Sequence, residues 1–282
     1  MSKNYLSIYA KSFSWAGFFL PKKIYKKCSV LYDFCRTLDN IADQDLDLDK
    51  KVKQFNEFKN NFLNKNTKDE VISRMHELII SSKISEKVVH DLFDGVQTDL
   101  KKEVKTNTKK ELLIYSYRVA GTVGLMMAKI LNVKKENSLK AAIDLGIAMQ
   151  LTNISRDVVE DKKKNRQYID SSFKVIKSTL TTADTFYKSS FLAISDIPIR
   201  SRFAILVARR VYRQIGSNIL RKENIENYNK SGKIYVSNLG KFFQTVLSIF
   251  DFLALLIMNS KKHDKDPEHQ IIKEEINLNE RI

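Results

Sequence analysis

Glycine and proline are scarce in this chain. Its 282 residues hold 8 Gly and 3 Pro, where average usage would give about 20 and 14. So few breakers leave little room for the turns of a β-rich fold and predict long helices. Runs such as 139–159 and 200–220 lack sustained two-residue alternation, and no Asn-Gly or Asp-Gly pair separates two strand-like runs. The pattern predicts an all-α fold with one domain over residues 1–258, because no Gly/Ser/Pro-rich linker divides it. The charged stretch 259–282 is expected to be a mobile tail, or alternatively a short partner-binding helix around 270–278.

Cysteine and histidine are scarce as well. Cys28 and Cys35 lie seven residues apart on one predicted helix, about 10.5 Å in rise and beyond the roughly 7 Å that a disulfide spans. They are expected to be buried thiols. His76, His90, His263 and His269 fall outside the motifs described below, so neither a His-ligated zinc site nor a Ser-His-Asp triad is indicated. No GxGxxG loop is present, and NADPH is not expected. The opening MSKNYLSIYAKSF has no continuous apolar core of a signal peptide, which predicts a cytoplasmic protein.

Acidic residues are outnumbered, 33 against 49 Lys and Arg, for a net charge of +16. The basic residues are dispersed and no nucleic-acid-binding motif accompanies them, so no nucleic-acid partner is expected. Positive potential suits diphosphate substrates and anionic lipid instead. Long apolar runs are also rare. The one candidate, 239–258, is interrupted by Lys241, Gln244 and Asp251, and a central Asp is costly in a membrane span. It is expected to be a final core helix rather than a membrane-spanning one, and peripheral contact at the inner face of the membrane is compatible with it.

Two polar stripes stand out against this background: Tyr32-Arg36-Asp39-Asp43 and Gln150-Asn153-Asp157-Asp161. Eleven steps at about 100° per residue come within roughly 20° of three full turns, so each stripe runs along one face of a helix. Apolar residues flank both, among them Leu31, Phe34, Leu38 and Ile41 in the first, and Ile147, Leu151, Ile154 and Val158 in the second. Such helices belong in an interior. A lone DxxxD pair is usually a solvated face, but two pairs with matching polar company are not a casual pattern. Two carboxylates about 4 Å apart repel by about 4 kcal/mol at an effective dielectric near 20, so a cluster of four calls for cations. Mg²⁺, which takes oxygen ligands and shares them with substrate phosphates, is the natural choice.

Smaller signals place the stripes. Pro21 can end one helix and start the next, which carries the first stripe. Gly121 and Gly124 lie in a helical apolar run at a cost of about 1 kcal/mol each, which implies a close approach to the backbone by a ligand or a neighbouring helix. Asp196-Ile197-Pro198 marks a turn before another helix.

The segments KSFSWAGFFLP (11–21), LYDFCRTLDNIAD (31–43), YSYRVAGTVG (115–124) and AMQLTNISRDVVEDKKKNRQYI (148–169) resemble the phytoene and squalene synthase family in order, spacing and content. Weaker similarity continues to about Lys241. The resemblance implies an all-helical isoprenoid synthase fold with the two Asp pairs facing each other across a central cavity. By the same resemblance Asp39, Asp43, Asp157 and Asp161 hold Mg²⁺, with Mn²⁺ as a substitute, and Ser12, Tyr32, Arg36, Gln150, Asn153 and Arg166 contact or orient diphosphates. Tyr168 joins this binding set. Tyr115, Val119 and Gly121 match the segment that lines the reaction chamber, to which Phe13 and Leu151 are added as apolar wall. One departure is Asn40, where family members often carry a second Asp. It lies about 100° around the helix from Asp39 and leaves the DxxxD pair intact.

The implied reaction joins two allylic diphosphates head to head, through a cyclopropylcarbinyl diphosphate, to a 1-1′ linked hydrocarbon. Gly17 lies four residues after Phe13, where family comparison places bulky side chains in enzymes for shorter substrates. Its missing side chain favours two geranylgeranyl diphosphates giving phytoene, in carotenoid biosynthesis, over two farnesyl diphosphates giving squalene or dehydrosqualene. A non-catalytic scaffold of the same fold is a third reading, which retention of all four aspartates disfavours.

Overall fold

The chain after Pro21 winds into a single helix, α2 (Lys22–Asp43), that buries Leu31, Phe34 and Leu38 on one side while the polar stripe runs along another. The computed structural model describes residues 11–258, 263 and 266–282, with side chains from Ser14 onward apart from Asp266. A short α1 (Lys11–Gly17) precedes α2. The helices α3 (Leu48–Leu63), α4 (Glu70–Ser82) and α5 (Glu86–Thr98) then pack around α2. Phe34, Phe58, Phe62 and Phe93 meet there with ring centroids 5.3–6.4 Å apart, a spacing at which tilted and edge-on aromatic contacts are favourable.

The next helical run bends at a designed irregularity. Between α6 (Lys109–Ser116) and α7 (Thr122–Ile130) lies a π-helical turn, Tyr117–Gly121. Such a turn marks an inserted residue and is frequent at functional sites. It lies against α8 (Glu136–Lys163), the longest helix at 28 residues, which spans about 42 Å. Contact there is backbone to backbone. A Cβ on Gly124 would overlap the Ala142 carbonyl, and one on Gly146 would overlap the Ala120 carbonyl. The close approach implied by Gly124 is therefore helix packing, and Gly121 likewise faces Tyr117 and Ile143.

Helix α8 ends where Asn165 adopts φ 55°, a left-handed conformation that Asn tolerates better than most residues. The reversal lets β2 (Arg166–Gln167) pair in parallel with β1 (Val104–Lys105). This two-residue ladder fixes Arg166 beside the end of α5. Beyond it, α9 (Phe173–Ser189) is capped by the Ser172 hydroxyl, and α10 (Ile199–Leu220) starts after Pro198 as the sequence predicts. Both pack on α8. A short α11 (Ile225–Lys230) follows.

Two expectations fail at the C-terminal end. Helix α12 (Asn238–Ile257) is not a core helix. Lys241, Gln244 and Ser248 are buried, as is Leu255, while Leu239, Phe242, Phe243, Phe250 and Leu253 are all more than half exposed. The three polar interruptions are its inward face: Asp251 pairs with Arg210 of α10, the Gln244 amide donates to Gln214 Oε1 at 2.9 Å, and Lys241 lies over the Trp15 ring. The apolar residues are left outside.

The described part of the tail, 263 and 266–282, is packed on the body of the protein rather than standing free of it. Helix α13 (Asp266–Lys273) and the residues after it bury Ile272, Ile276 and Leu278 in the main core. Arg281 forks onto Asp91 of α5 at 3.0 Å through Nε and Nη2. Composition misled here because the charged residues face outward, to Lys110 and Lys87, around a few well-spaced isoleucines.

Candidate active site

The first stripe lies on α2 and the second on α8, and the structure opens a cavity of about 300 Å³ between these helices and α10. Its polar end carries Tyr32, Asp39, Gln150 and Asn153, one set from each stripe. Its body is apolar, walled by Gly17, Val119, Val123, Met127, Ile205 and others. The Asn153 side-chain oxygen is buried without a hydrogen-bond partner, a costly state that a ligand would relieve.

Charge is concentrated at the polar end. Burial, the repulsion of Asp43 and the nearby Asp99 outweigh the attraction of Arg36, so Asp39 is pushed up to about 6. Asp39 borders the cavity and is accessible to solvent. Burial and the neighbouring Asp157 push Asp161 up to about 7. The other two are already paired. Burial alone would raise Asp43, but Lys164 at 3.0 Å and Arg166 at 2.7 Å bring it below the usual carboxylate range. Asp157 is gripped by both arms of Arg156, with Lys233 at 3.4 Å. Each DxxxD pair thus has one carboxylate neutralised by protein cations and one that resists ionising.

Between the pairs stands a residue that the motifs did not flag. Asp99, just past α5, accepts from Tyr115 at 3.0 Å and from Tyr168 at 2.6 Å. The two phenol rings stack with centroids 4.6 Å apart. Burial raises the pKa of Asp99, against the pull of Arg166 and both tyrosines. Arg166 feels Asp99, Asp43, Asp39 and Asp161 together, which makes it the central cation of the site. Asp99 gave no signal in the sequence: among Gln97, Thr98, Lys101 and Lys102 at the end of a helix it reads as an ordinary solvated acid.

The structure separates some residues that the sequence grouped. Val119 and Gly17 line the cavity, but Tyr115 sits in the Asp99 cluster, Gly121 is packed between helices, and Leu151 is core. These three do not line the cavity, whereas Val119 and Ala120 of the π-helical turn do. Asp161, Arg166 and Tyr168 line a smaller adjoining space of about 100 Å³. Arg36 is half-buried on the stripe face. The side chains of Ser12 and Phe13 lie outside the described residues. The sulfurs of Cys28 and Cys35 are unbridged, and both residues border the cavity.

An all-oxygen donor set with unneutralised carboxylates fits a hard divalent cation and fits a softer metal poorly. A polar, cation-rich end opening into an apolar pocket suits an amphiphile with an anionic head.

Comparison with known proteins agrees with this geometry. The family model described as squalene/phytoene synthase matches residues 6–172. A 15-cis-phytoene synthase from Enterobacter agglomerans is 30% identical over 76% of this chain and 83% of its own length. One from Pantoea ananas is 28% identical over 76% and 80%. Among solved structures, a dehydrosqualene synthase with bound ligand superposes with a TM-score of 0.76 at 26% identity, covering 89% of this chain and 94% of that one. A squalene synthase from Alicyclobacillus acidocaldarius shares the fold, with a TM-score of 0.67 at 15% identity over 79% and 91%.

Proposed function

The chain belongs to the squalene/phytoene synthase family, and from that premise we propose that it condenses two geranylgeranyl diphosphates head to head to phytoene, releasing diphosphate. The observation that carries the reading is a cavity with Tyr32, Asp39, Gln150 and Asn153 at one end and apolar wall elsewhere, the two-part shape of a prenyl diphosphate. The aligned bacterial relatives are phytoene synthases. The dehydrosqualene synthase likeness supports a second reading, in which two farnesyl diphosphates are joined instead.

Asp39, Asp43, Asp157 and Asp161 would hold Mg²⁺, or Mn²⁺ in its place, and the ion would supply positive charge to the departing diphosphate. Arg166, Arg36 and Lys164 place fixed cations at the same end, where developing negative charge is stabilised most in a site shielded from water. Tyr32, Gln150 and Asn153 orient the diphosphate oxygens. Asp99 holds the Tyr115 and Tyr168 phenols and keeps Arg166 in place. The wall formed by Val119, Val123, Met127 and Ile205 excludes water from the allylic cation, which then meets the double bond of the second substrate; loss of a proton from the resulting cation closes the ring and gives a cyclopropylcarbinyl diphosphate. A second ionisation, rearrangement and proton loss complete the hydrocarbon.

Such a product is insoluble in water. The apolar end of the cavity is bounded by Ala204, Ile205 and Ala208 of α10, and α12, with its outward apolar face, packs against α10. That face would seat the enzyme peripherally on a membrane, helped by the net charge of +16.

The test is a product assay with Mg²⁺, offering each diphosphate separately and together, with and without NADPH. A C40 hydrocarbon formed without NADPH is the expected result. A C30 hydrocarbon would establish the second reading, and no product from either substrate would leave only a scaffold of this fold.

A further inference from the structure

Asp144 of α8 is wholly buried, and three side chains converge on it. His263 Nε2 lies 2.8 Å from Oδ2 and His269 Nε2 lies 2.7 Å from Oδ1. The Ser189 hydroxyl donates to Oδ2 across 2.7 Å. Both imidazoles come from the C-terminal segment, 119 and 125 residues away in sequence. Their ring centroids are 4.5 Å apart with planes inclined at 58°, so both turn an edge toward the carboxylate. One donor atom from each of Asp144, His263 and His269 lies within 4.8 Å of the others, and all three residues are buried. None of them lines the active-site cavity. Burial alone would raise the Asp144 pKa, but the two imidazoles hold it below the usual carboxylate range, leaving an anion in a dry interior. His269 Nδ1 is buried with no hydrogen-bond partner.

We propose that Asp144, His263 and His269 form a structural transition-metal site, selective for zinc over magnesium, that fastens the C-terminal segment to α8. Two imidazole nitrogens and one carboxylate oxygen match zinc, whereas magnesium takes oxygen donors and has the aspartate stripes available. The Ser189 hydroxyl is the kind of outer hydrogen bond that orients a ligating carboxylate. Around zinc the ligand atoms sit about 2.0–2.2 Å from the ion and so roughly 3.3 Å from one another. The ion therefore enters by widening the two contacts about half an ångström. Each imidazole then carries its proton on Nδ1 and offers the Nε2 lone pair to the ion. An eight-residue helix such as α13 does not persist alone. A cross-link between residue 144 and residues 263 and 269 closes a long loop and stabilises the docked form.

The test uses the untagged full-length protein, stripped with a chelator and then equilibrated with Zn²⁺ under excess Mg²⁺, which occupies the oxygen sites. Metal analysis after gel filtration should find about one zinc per chain. Co²⁺ in its place should show the visible absorption of a tetrahedral nitrogen/oxygen site, and zinc should raise the melting temperature. His263→Gln and His269→Gln should each abolish retention. Ser189→Ala should weaken affinity about 10- to 100-fold. Wild-type protein that retains no zinc and shows no thermal shift would overturn the proposal, leaving the trio as a hydrogen-bonded clasp. So would zinc that persists in the double His variant.

Discussion

Arg166 Nη1 lies 2.7 Å from Asp43 Oδ1, joining a two-residue strand to the end of a helix 123 residues earlier. The same guanidinium reaches the Ala42 carbonyl at 3.3 Å and the Asp99 carbonyl at 3.5 Å. It therefore sets the distance between the two aspartate helices as well as their charge. Arg166→Lys keeps the charge but loses the planar fork. It should lower turnover by at least about 10²-fold, the scale seen when one fixed donor at developing charge is removed, and raise the Mg²⁺ concentration needed for half-maximal rate. Wild-type turnover in a steady-state assay would remove Arg166 from the site.

The two resistant carboxylates give the metal-free protein an unusual pH response. A carboxyl whose folded pKa is raised binds more protons folded than unfolded, so stability falls as pH rises between the two values. For Asp39 and Asp161 that window runs from the ordinary value of 3.8 to about 6 and about 7. Melting temperature without metal should therefore be higher at the acidic end of this range than above it, and Mg²⁺ should oppose the decline. One pKa unit corresponds to about 1.4 kcal/mol. Asp161→Asn, with solvent screening discounted, should then gain on the order of 1 kcal/mol above neutrality, or roughly 2–4 °C. An Asn variant no more stable than wild type in calorimetry would refute the charge strain.

How legible was the site before the fold was known? The stripes were readable because helical spacing translates directly into one face, and Asp39, Gln150 and Asn153 do meet at one cavity. Asp99 was not readable, since its partners Tyr115 and Tyr168 come from other segments and meet only through the β1–β2 pairing. His263 and His269 looked idle for the same reason: Asp144 is a distant residue on an apolar helix. Helix α12 showed its composition but not its direction. An apolar run broken by Lys, Gln and Asp reads as a flawed core helix until Arg210 and Gln214 are seen facing the polar side.

That inverted helix makes its own prediction. Phe242, Phe250 and Leu253 are exposed by 60%, 64% and 51%, so replacing all three by Ser should leave the fold intact. Fully burying such a side chain is worth roughly 2 kcal/mol, and even half of that for three positions gives about 10²-fold in partitioning. Flotation with anionic vesicles should show the loss. Unchanged flotation would exclude α12 as the membrane face, and a concentration-dependent dimer without lipid would assign it to a second copy of the chain.

The α7–α8 crossing should be intolerant of even one methyl group. The Cβ of Gly124→Ala would meet the Ala142 carbonyl, and that of Gly146→Ala the Ala120 carbonyl. Backbone cannot yield as a flexible side chain does, so each substitution should cost about 3 kcal/mol, a fall of roughly 6–12 °C in melting temperature. Because Val119 and Val123 lie on the displaced run, activity should fall further than stability alone explains. Gly216 is a control: its nearest neighbour is the Leu180 side chain at 3.2 Å, and Gly216→Ala should cost far less.

Gly17 tests the length of the cavity. It borders the cavity with Ala16, Leu20 and Val123, at the end of α1 and a few residues before the start of α2, so added bulk at this position should take up cavity volume. Gly17→Phe should shorten the usable tunnel. A pocket selects against surplus methylenes sterically and against missing ones only weakly, at about 1–3 kcal/mol for each group. The variant should therefore lose geranylgeranyl diphosphate turnover by at least about 10-fold while keeping farnesyl diphosphate turnover near the wild-type level. The ratio of C40 to C30 hydrocarbon from mixed substrates reads this directly, since a folding defect lowers both products together and a tunnel effect lowers one. An unchanged ratio would mean that the chain runs along another wall of the cavity, such as the Ile194 and Ile197 side or the Leu131 and Val133 side.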